Sequence, residues 1–139
     1  MAAKVRYLVD TNIWLERLLN QDKSEVVSEF LNIIPPAQLF VSDFAIHSIG
    51  VILSRLNKTE ILKIFLNDLF INGQIEQLSL DNLDLIDVAD NIKKYNLDFD
   101  DSYQYTVAEK YGLILVTFDK DFIAVGLKKM TPQEILAGK

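Results

Sequence analysis

Tyr7-Leu8-Val9-Asp10-Thr11-Asn12 is an apolar run that stops abruptly at an acid, a hydroxyl and an amide, with a helical pattern behind it. Short, β-branched and bounded by polar residues, Val5 to Val9 reads as a buried strand. In an open α/β sheet the chemistry sits just beyond the C-terminal ends of the strands, which is where this reading puts Asp10. Leu113-Ile114-Leu115-Val116-Thr117-Phe118-Asp119 repeats the arrangement late in the chain: apolar run, Thr, acid. The two stretches raise the question of whether Asp10 and Asp119 meet at one metal site.

Between them, strand-like and helix-like patterns alternate. Thr11 or Asn12 can cap a helix from Ile13 to about Leu19. A second helix begins at Ser24 and carries Val26, Val27, Phe30, Leu31 and Ile34 at helical spacing, until Pro35-Pro36 stops it. Gln38 to Val41 is the next strand, with Ser42 and Asp43 starting a helix from Phe44 to about Leu56. Thr59 and Glu60 start another, Ile61 to Ile71, whose apolar residues cover more than one narrow stripe. Burial on two sides explains that pattern, and so does a face that meets a partner chain. Ile75 to Leu80 reads as a strand and Ser79 or Asp81 caps a helix through about Tyr95. Asp100 or Asp101 starts a helix to Lys110 that Gly112 closes. Leu113 to Val116 is a strand and Asp119-Lys120-Asp121-Phe122 a tight polar turn. A short edge strand is expected within Ile123 to Met130, and Thr131-Pro132 opens a terminal helix. The alternation predicts an α/β fold, a three-layer α/β/α sandwich on a parallel sheet of about five strands. No repeat, linker or low-complexity stretch interrupts it, so residues 1–139 are expected to form a single domain.

Composition narrows the chemistry. At 139 residues and 50% hydrophobic content the chain can bury a sizeable core. Nothing at its start resembles a signal peptide and no apolar run is long enough to span a bilayer, so the expected location is cytoplasmic, with no membrane partner. The absence of cysteine excludes disulfides, thiolate zinc sites and cysteine nucleophiles, and a lone His47 excludes a histidine-rich site. Carboxylate oxygen is left as the metal-binding chemistry, which suits Mg²⁺ or Mn²⁺. A net charge of −6 argues against a nonspecific grip on nucleic-acid phosphates, but clustered acids offset by bound cations are compatible with a nuclease.

Asp10, Asp101 and Asp119 each read singly as a helix cap. Together they place acids at three junctions on one edge of a parallel sheet. Carboxylates brought together raise one another's pKa unless a cation neutralises them, so a Mg²⁺ or Mn²⁺ site is the economical explanation. Such ions orient a water, lower its pKa and stabilise charge on a phosphoryl group. Asp100 and Asp121 read as caps that could share the metal. His47 on an apolar helix reads as a hydrogen-bonded histidine that could serve the site as a proton shuttle. Lys120, Lys128 and Lys129 are a small basic group near the acids, read as solvated surface with RNA phosphate contact as the alternative.

Val9-Asp10-Thr11-Asn12, Asp100-Asp101-Ser102 and Leu115 to Phe122 together resemble the signature of PIN-domain proteins, a group that includes the VapC-type toxin ribonucleases. The resemblance runs on through Gly126-Leu127 and Thr131-Pro132-Gln133-Glu134. It implies acids gathered at the C-termini of the strands and a Mg²⁺- or Mn²⁺-dependent endoribonuclease that cleaves RNA phosphodiesters. Asp10, Asp101 and Asp119 would be its first, third and fourth acids. Thr11 and Asn12 would shape the first loop, and Thr117 would support the site through a hydrogen bond. The resemblance also implies an antitoxin protein as partner and a homodimer, with the Ile61 to Phe70 helix as a candidate face.

One position departs from the pattern. Where the family carries a Glu, about two turns beyond a Ser like Ser42, this chain has Ser48 beside His47. Three readings follow. Ser48 or His47 completes the site through water; or Asp43, Asp100 or Asp121 compensates; or the fold persists as a weakly active or non-catalytic module that binds RNA or a protein. A phosphatase-like hydrolase with Asp10 as nucleophile is a further alternative, but Asn12 stands where it needs a second acid.

Overall fold

The computed structural model describes residues 4–119 and 127–139. Five strands form one sheet in the order β3-β2-β1-β4-β5, every neighbouring pair parallel. They are β1 (Tyr7–Val9), β2 (Leu39–Ser42), β3 (Glu76–Leu78), β4 (Ile114–Val116) and β5 (Lys129–Met130). Among the described residues, seven α-helices accompany them: α1 (Thr11–Leu18), α2 (Ser24–Ile33), α3 (Asp43–Arg55), α4 (Thr59–Leu66), α5 (Asn82–Tyr95), α6 (Phe99–Tyr111) and α7 (Pro132–Ala137). The result is the three-layer α/β/α sandwich that the alternating pattern predicts.

The pleat divides the core. Tyr7 and Val9 face one side and pack with Ile13, Trp14, Val27, Phe30, Ile49 and Phe65 from α1 to α4. Leu8 points the other way and packs with Val88 of α5 and Tyr103, Tyr105 and Val107 of α6. Successive side chains of a strand emerge on opposite faces, so three consecutive buried residues require cover on both sides. Trp14 also ties α1 to the strand before it, its Nε1 donating to the Val9 carbonyl at 3.2 Å.

The chain runs outward from β1 to β2 and β3, then returns so that β4 lies on the other side of β1. Strand order therefore reverses between β1 and β4, where an α/β sheet opens a crevice at its C-terminal edge. Register aligns the two strands closely, with Val9 opposite Val116, and the Asp10 amide donates to the Val116 carbonyl at 2.9 Å. Asp10 and Thr117 consequently leave the sheet side by side.

Several boundaries differ from expectation. The Ile61 to Ile71 helix is two pieces, α4 and a π-helical turn over Asn67–Asn72. It buries Phe65 and Leu69 while leaving Ile64 and Ile71 exposed, so its apolar surplus is only half absorbed by the core. The cap of α6 is Asp98, whose Oδ1 accepts from the Asp101 amide at 2.9 Å, and not Asp100 or Asp101. This shift leaves both later carboxyl groups free of capping duty in the first turn. Gly112 ends α6 at φ +67°, a left-handed conformation that glycine adopts without strain. The expected turn at Lys120-Asp121-Phe122, and the first part of the edge strand expected from Ile123, lie outside the described residues. No helix among the described residues is long and apolar enough to cross a membrane.

Candidate functional site

A cavity of about 300 Å³ opens at the reversal point. Among the described residues, four carboxylates line it: Asp10 from the end of β1, Asp100 and Asp101 from the first turn of α6, and Asp119 from beyond β4. Thr11, Asn12, Ser48 and Gln104 also line it, with Leu15, Phe44 and Ile52 as its apolar wall. Phe44, Ser48 and Ile52 are four residues apart on α3, so a single stripe of that helix faces the cavity. His47 lies one position off the stripe, is exposed, and does not line the cavity. Asp43 is engaged elsewhere, its Oδ1 accepting from the Phe44 amide at 2.8 Å and the Tyr103 hydroxyl at 2.7 Å. Asp121 lies outside the described residues.

Asp10 is the most constrained member. Its Oδ1 accepts from the Thr11 amide at 2.8 Å and from Gln104 Nε2 at 3.0 Å. Its Oδ2 accepts from the Thr117 hydroxyl at 2.9 Å. Thr117 is buried, and its oxygen in turn accepts from Asn12 Nδ2 and from the Asp119 amide, each at 3.0 Å. Asn12 Oδ1 closes the ring by accepting from the Phe118 amide at 3.2 Å. The two strand ends are thus tied by side chains as well as by the ladder. Thr11 contributes only backbone to this ring among the described bonds, whereas Asn12 and Thr117 contribute side chains at both ends.

Electrostatics oppose crowding of the acids. Burial raises the Asp10 carboxyl above its ordinary range, the bonds from Gln104, Thr117 and Thr11 pull it down, and Asp119 adds a smaller upward push. Asp101 is pushed up to about 7, first by desolvation, then by the nearby charges of Asp98, Asp119, Asp10 and Asp100. The folded chain therefore holds the Asp101 proton more tightly than the unfolded chain, where an aspartate titrates near about 4. Folding stability contributed at this site is fully present below the unfolded value and is lost as pH rises toward about 7. Asp101→Asn, which carries no charge to repel, should flatten that decline. Urea melts without divalent cations, at about pH 5 and about pH 8, check it: equal losses in wild type and variant would refute the assignment.

The lining offers carboxylate, hydroxyl and amide oxygens, a donor set that fits a hard divalent cation. Among the described residues, however, no three acidic or histidine side chains converge closely enough to hold one metal ion between them. Ser48 occupies the α3 position facing the acids and brings no charge. Gln104 is the lining residue that pattern reading missed. It lies three residues beyond Asp101, one helical turn on the same face of α6, and that spacing is the signal available in the sequence.

No curated protein matches the chain significantly by sequence. Solved structures do match by fold. The structure of Mycobacterium tuberculosis VapC20, described as a sarcin-ricin loop cleaving toxin, aligns at TM-score 0.76 and 16% identity, over 91% of this chain and 99% of that one. A toxin-antitoxin complex from Klebsiella pneumoniae aligns at TM-score 0.72 and 18% identity, covering 91% and 97%. PAE2754 from Pyrobaculum aerophilum aligns at TM-score 0.62 and 23% identity, covering 97% and 98%. At these identities the likeness speaks for the fold. By sequence, the PIN domain pattern matches residues 7–128, nearly the whole span from the first strand to the last, and the chain belongs to the PIN-domain family.

Proposed function

We propose that this chain is a PIN-fold module that engages RNA and cleaves it only weakly, with help from a divalent cation. The observation that carries the reading is the cavity that Ser48 lines together with Asp10, Asp101 and Asp119. Its oxygen donors fit Mg²⁺ or Mn²⁺, while the loss of one carboxylate and the spread of the others lower the affinity expected for such an ion. When bound, a cation of this kind supplies a water of lowered pKa and neutralises charge developing on a phosphate. The chain's own part is positional. Thr117, Gln104 and the Thr11 amide orient Asp10, and α6 presents Asp101 across the cavity from it. The likeness to VapC20, a sarcin-ricin loop cleaving toxin, supports RNA as the substrate class.

Incubating a single-stranded RNA oligonucleotide with Mn²⁺ or with EDTA tests the proposal. Cleavage should require the cation, run below the ordinary enzyme range of about 1 s⁻¹, and disappear in Asp119→Asn. Turnover within that range would make the chain an efficient metal-dependent ribonuclease instead, and cleavage that survives EDTA would overturn the cation reading.

A second reading, a protein-binding module, has its own observation. A groove of about 580 Å³ lined by Trp14, Leu18, Leu31, Ile61, Ile64 and Phe65, among others, lies on the α4 side, with Ile64 and Ile71 exposed beside it. The likeness to the toxin-antitoxin complex from Klebsiella pneumoniae favours an antitoxin-like partner there, and a second copy of this chain is the alternative. RNA neither bound nor cut would favour this reading.

A further inference from the structure

We infer that Gln104 is a positioning residue for the cation site, holding Asp10 in the orientation that receives the ion. This rests on the proposed cation-assisted reading of the cavity.

Gln104 is only 3% exposed and belongs to the stretch of α6 from Ser102 to Ala108 that is buried throughout. A glutamine so placed has a donor and an acceptor to satisfy. Its Nε2 donates to Asp10 Oδ1 at 3.0 Å. Its Oε1 is buried and, among the described residues, has no hydrogen-bond partner. A buried amide that served packing or helix cohesion would be expected to satisfy both ends, because an unmet carbonyl in a dry site is costly. Here the side chain leaves its acceptor unmet while its donor stays on the Asp10 carboxylate.

The reverse orientation of the amide does not escape the problem. It would set Oε1 against an ionised Asp10 oxygen, acceptor against acceptor. The arrangement is therefore decided by the carboxylate.

The position of Gln104 fits the role. Asp10 Oδ1 receives the Thr11 amide from its own helix and Gln104 from α6, while Oδ2 receives Thr117 from β4. Of the three donors, Gln104 alone links Asp10 to the helix carrying Asp100 and Asp101. It fixes the first acid relative to the pair across the cavity, without adding charge to a site that already holds four carboxylates. Asp10 and the acids of α6, which would hold a cation, keep their relative placement through this bond.

The test is Gln104→Met, which keeps length and apolar bulk but cannot donate. Mn²⁺ binding is measured by calorimetry on the full chain, with thermal melts in EDTA alongside. The expected result is a Kd for Mn²⁺ raised by about tenfold or more, at a melting temperature in EDTA equal to or above that of wild type, since the unmet carbonyl is removed with the bond. An unchanged Kd in a folded variant overturns the inference and leaves the cation site standing. A fall in melting temperature with no change in Kd assigns Gln104 to packing and also overturns it. Wild-type protein that binds no Mn²⁺ removes the cation reading itself, and this inference with it.

A measurement on wild type covers the case of a variant that does not fold. The side-chain amide resonances of Gln104 in ¹⁵N-labelled protein should move on Mg²⁺ titration, in step with Asp10. Resonances that stay fixed while the cavity fills would refute the role.

Discussion

Replacing Asp10 by Asn is expected to raise the Kd for Mn²⁺ by well over tenfold and to bring RNA cleavage down by about a hundredfold or more. Asp10 is the acid on which three donors converge: a backbone amide, a glutamine amide and a threonine hydroxyl all point at it. An Asn keeps the shape and one oxygen. Its amide nitrogen, however, must displace one of those donors or face the Thr117 oxygen, whose acceptor capacity is already taken by Asn12 and the Asp119 amide. The substitution therefore removes the charge that a cation needs and sets donor against donor. Asp101→Asn makes a contrast, because no described hydrogen bond depends on that carboxyl group. It should weaken Mn²⁺ binding too, but without the mismatch at the strand ends. Calorimetry on both variants separates the cases, and a wild-type Mn²⁺ affinity in Asp10→Asn would end the metal reading of this cavity.

Thr117→Val should lower unfolding stability by about 2–4 kcal/mol, a large share of the roughly 5–15 kcal/mol typical of a native domain. Valine matches threonine in shape, so no cavity opens and the loss is confined to hydrogen bonding. One hydroxyl oxygen makes three bonds here, donating to Asp10 and accepting from Asn12 and the Asp119 amide. All three partners border a cavity that water can enter, which keeps the sum below three full desolvation penalties. Thr117→Ser retains the hydroxyl and should stay within about 1 kcal/mol of wild type. Urea unfolding with an unchanged m-value reads the difference directly. A Val variant within about 0.5 kcal/mol of wild type would show that the ring merely accompanies the sheet ladder.

The two substitutions act on one feature, the joint between β1 and β4. Its importance for function comes from topology, because strand order reverses there. Its importance for stability comes from Thr117 and Asn12, which join the loops beyond it.

Much of this was legible in the residues. Short apolar runs alternating with helical periodicity specify a covered parallel sheet, because a strand buried on both faces must be apolar throughout while a helix needs only a stripe. The placement of Asp10 and Asp119 directly after two such runs put both on the same edge. Local chemistry also determined several ends, such as Asp81 and Thr131 closing capping boxes and Gly112 in the left-handed turn.

Tertiary structure decided what local patterns leave degenerate. The sequence reads Asp100 or Asp101 as the start of α6, whereas the packed helix is capped by Asp98 and presents Asp100 and Asp101 to the cavity. His47 and Ser48 are neighbours, but one residue is about 100° of helix, so only the docked rotation of α3 says that Ser48 faces the cavity and His47 faces away. Gln104 shares a face of α6 with Asp101, which by itself assigns it no role. Its amide acquires a role only because the fold brings it within 3.0 Å of a carboxylate 94 residues earlier in the chain. Propensity and pattern act over a few residues and determine which elements form. The pairing of a donor with an acid that far away is a property of the packed arrangement, and the character of this site depends on it.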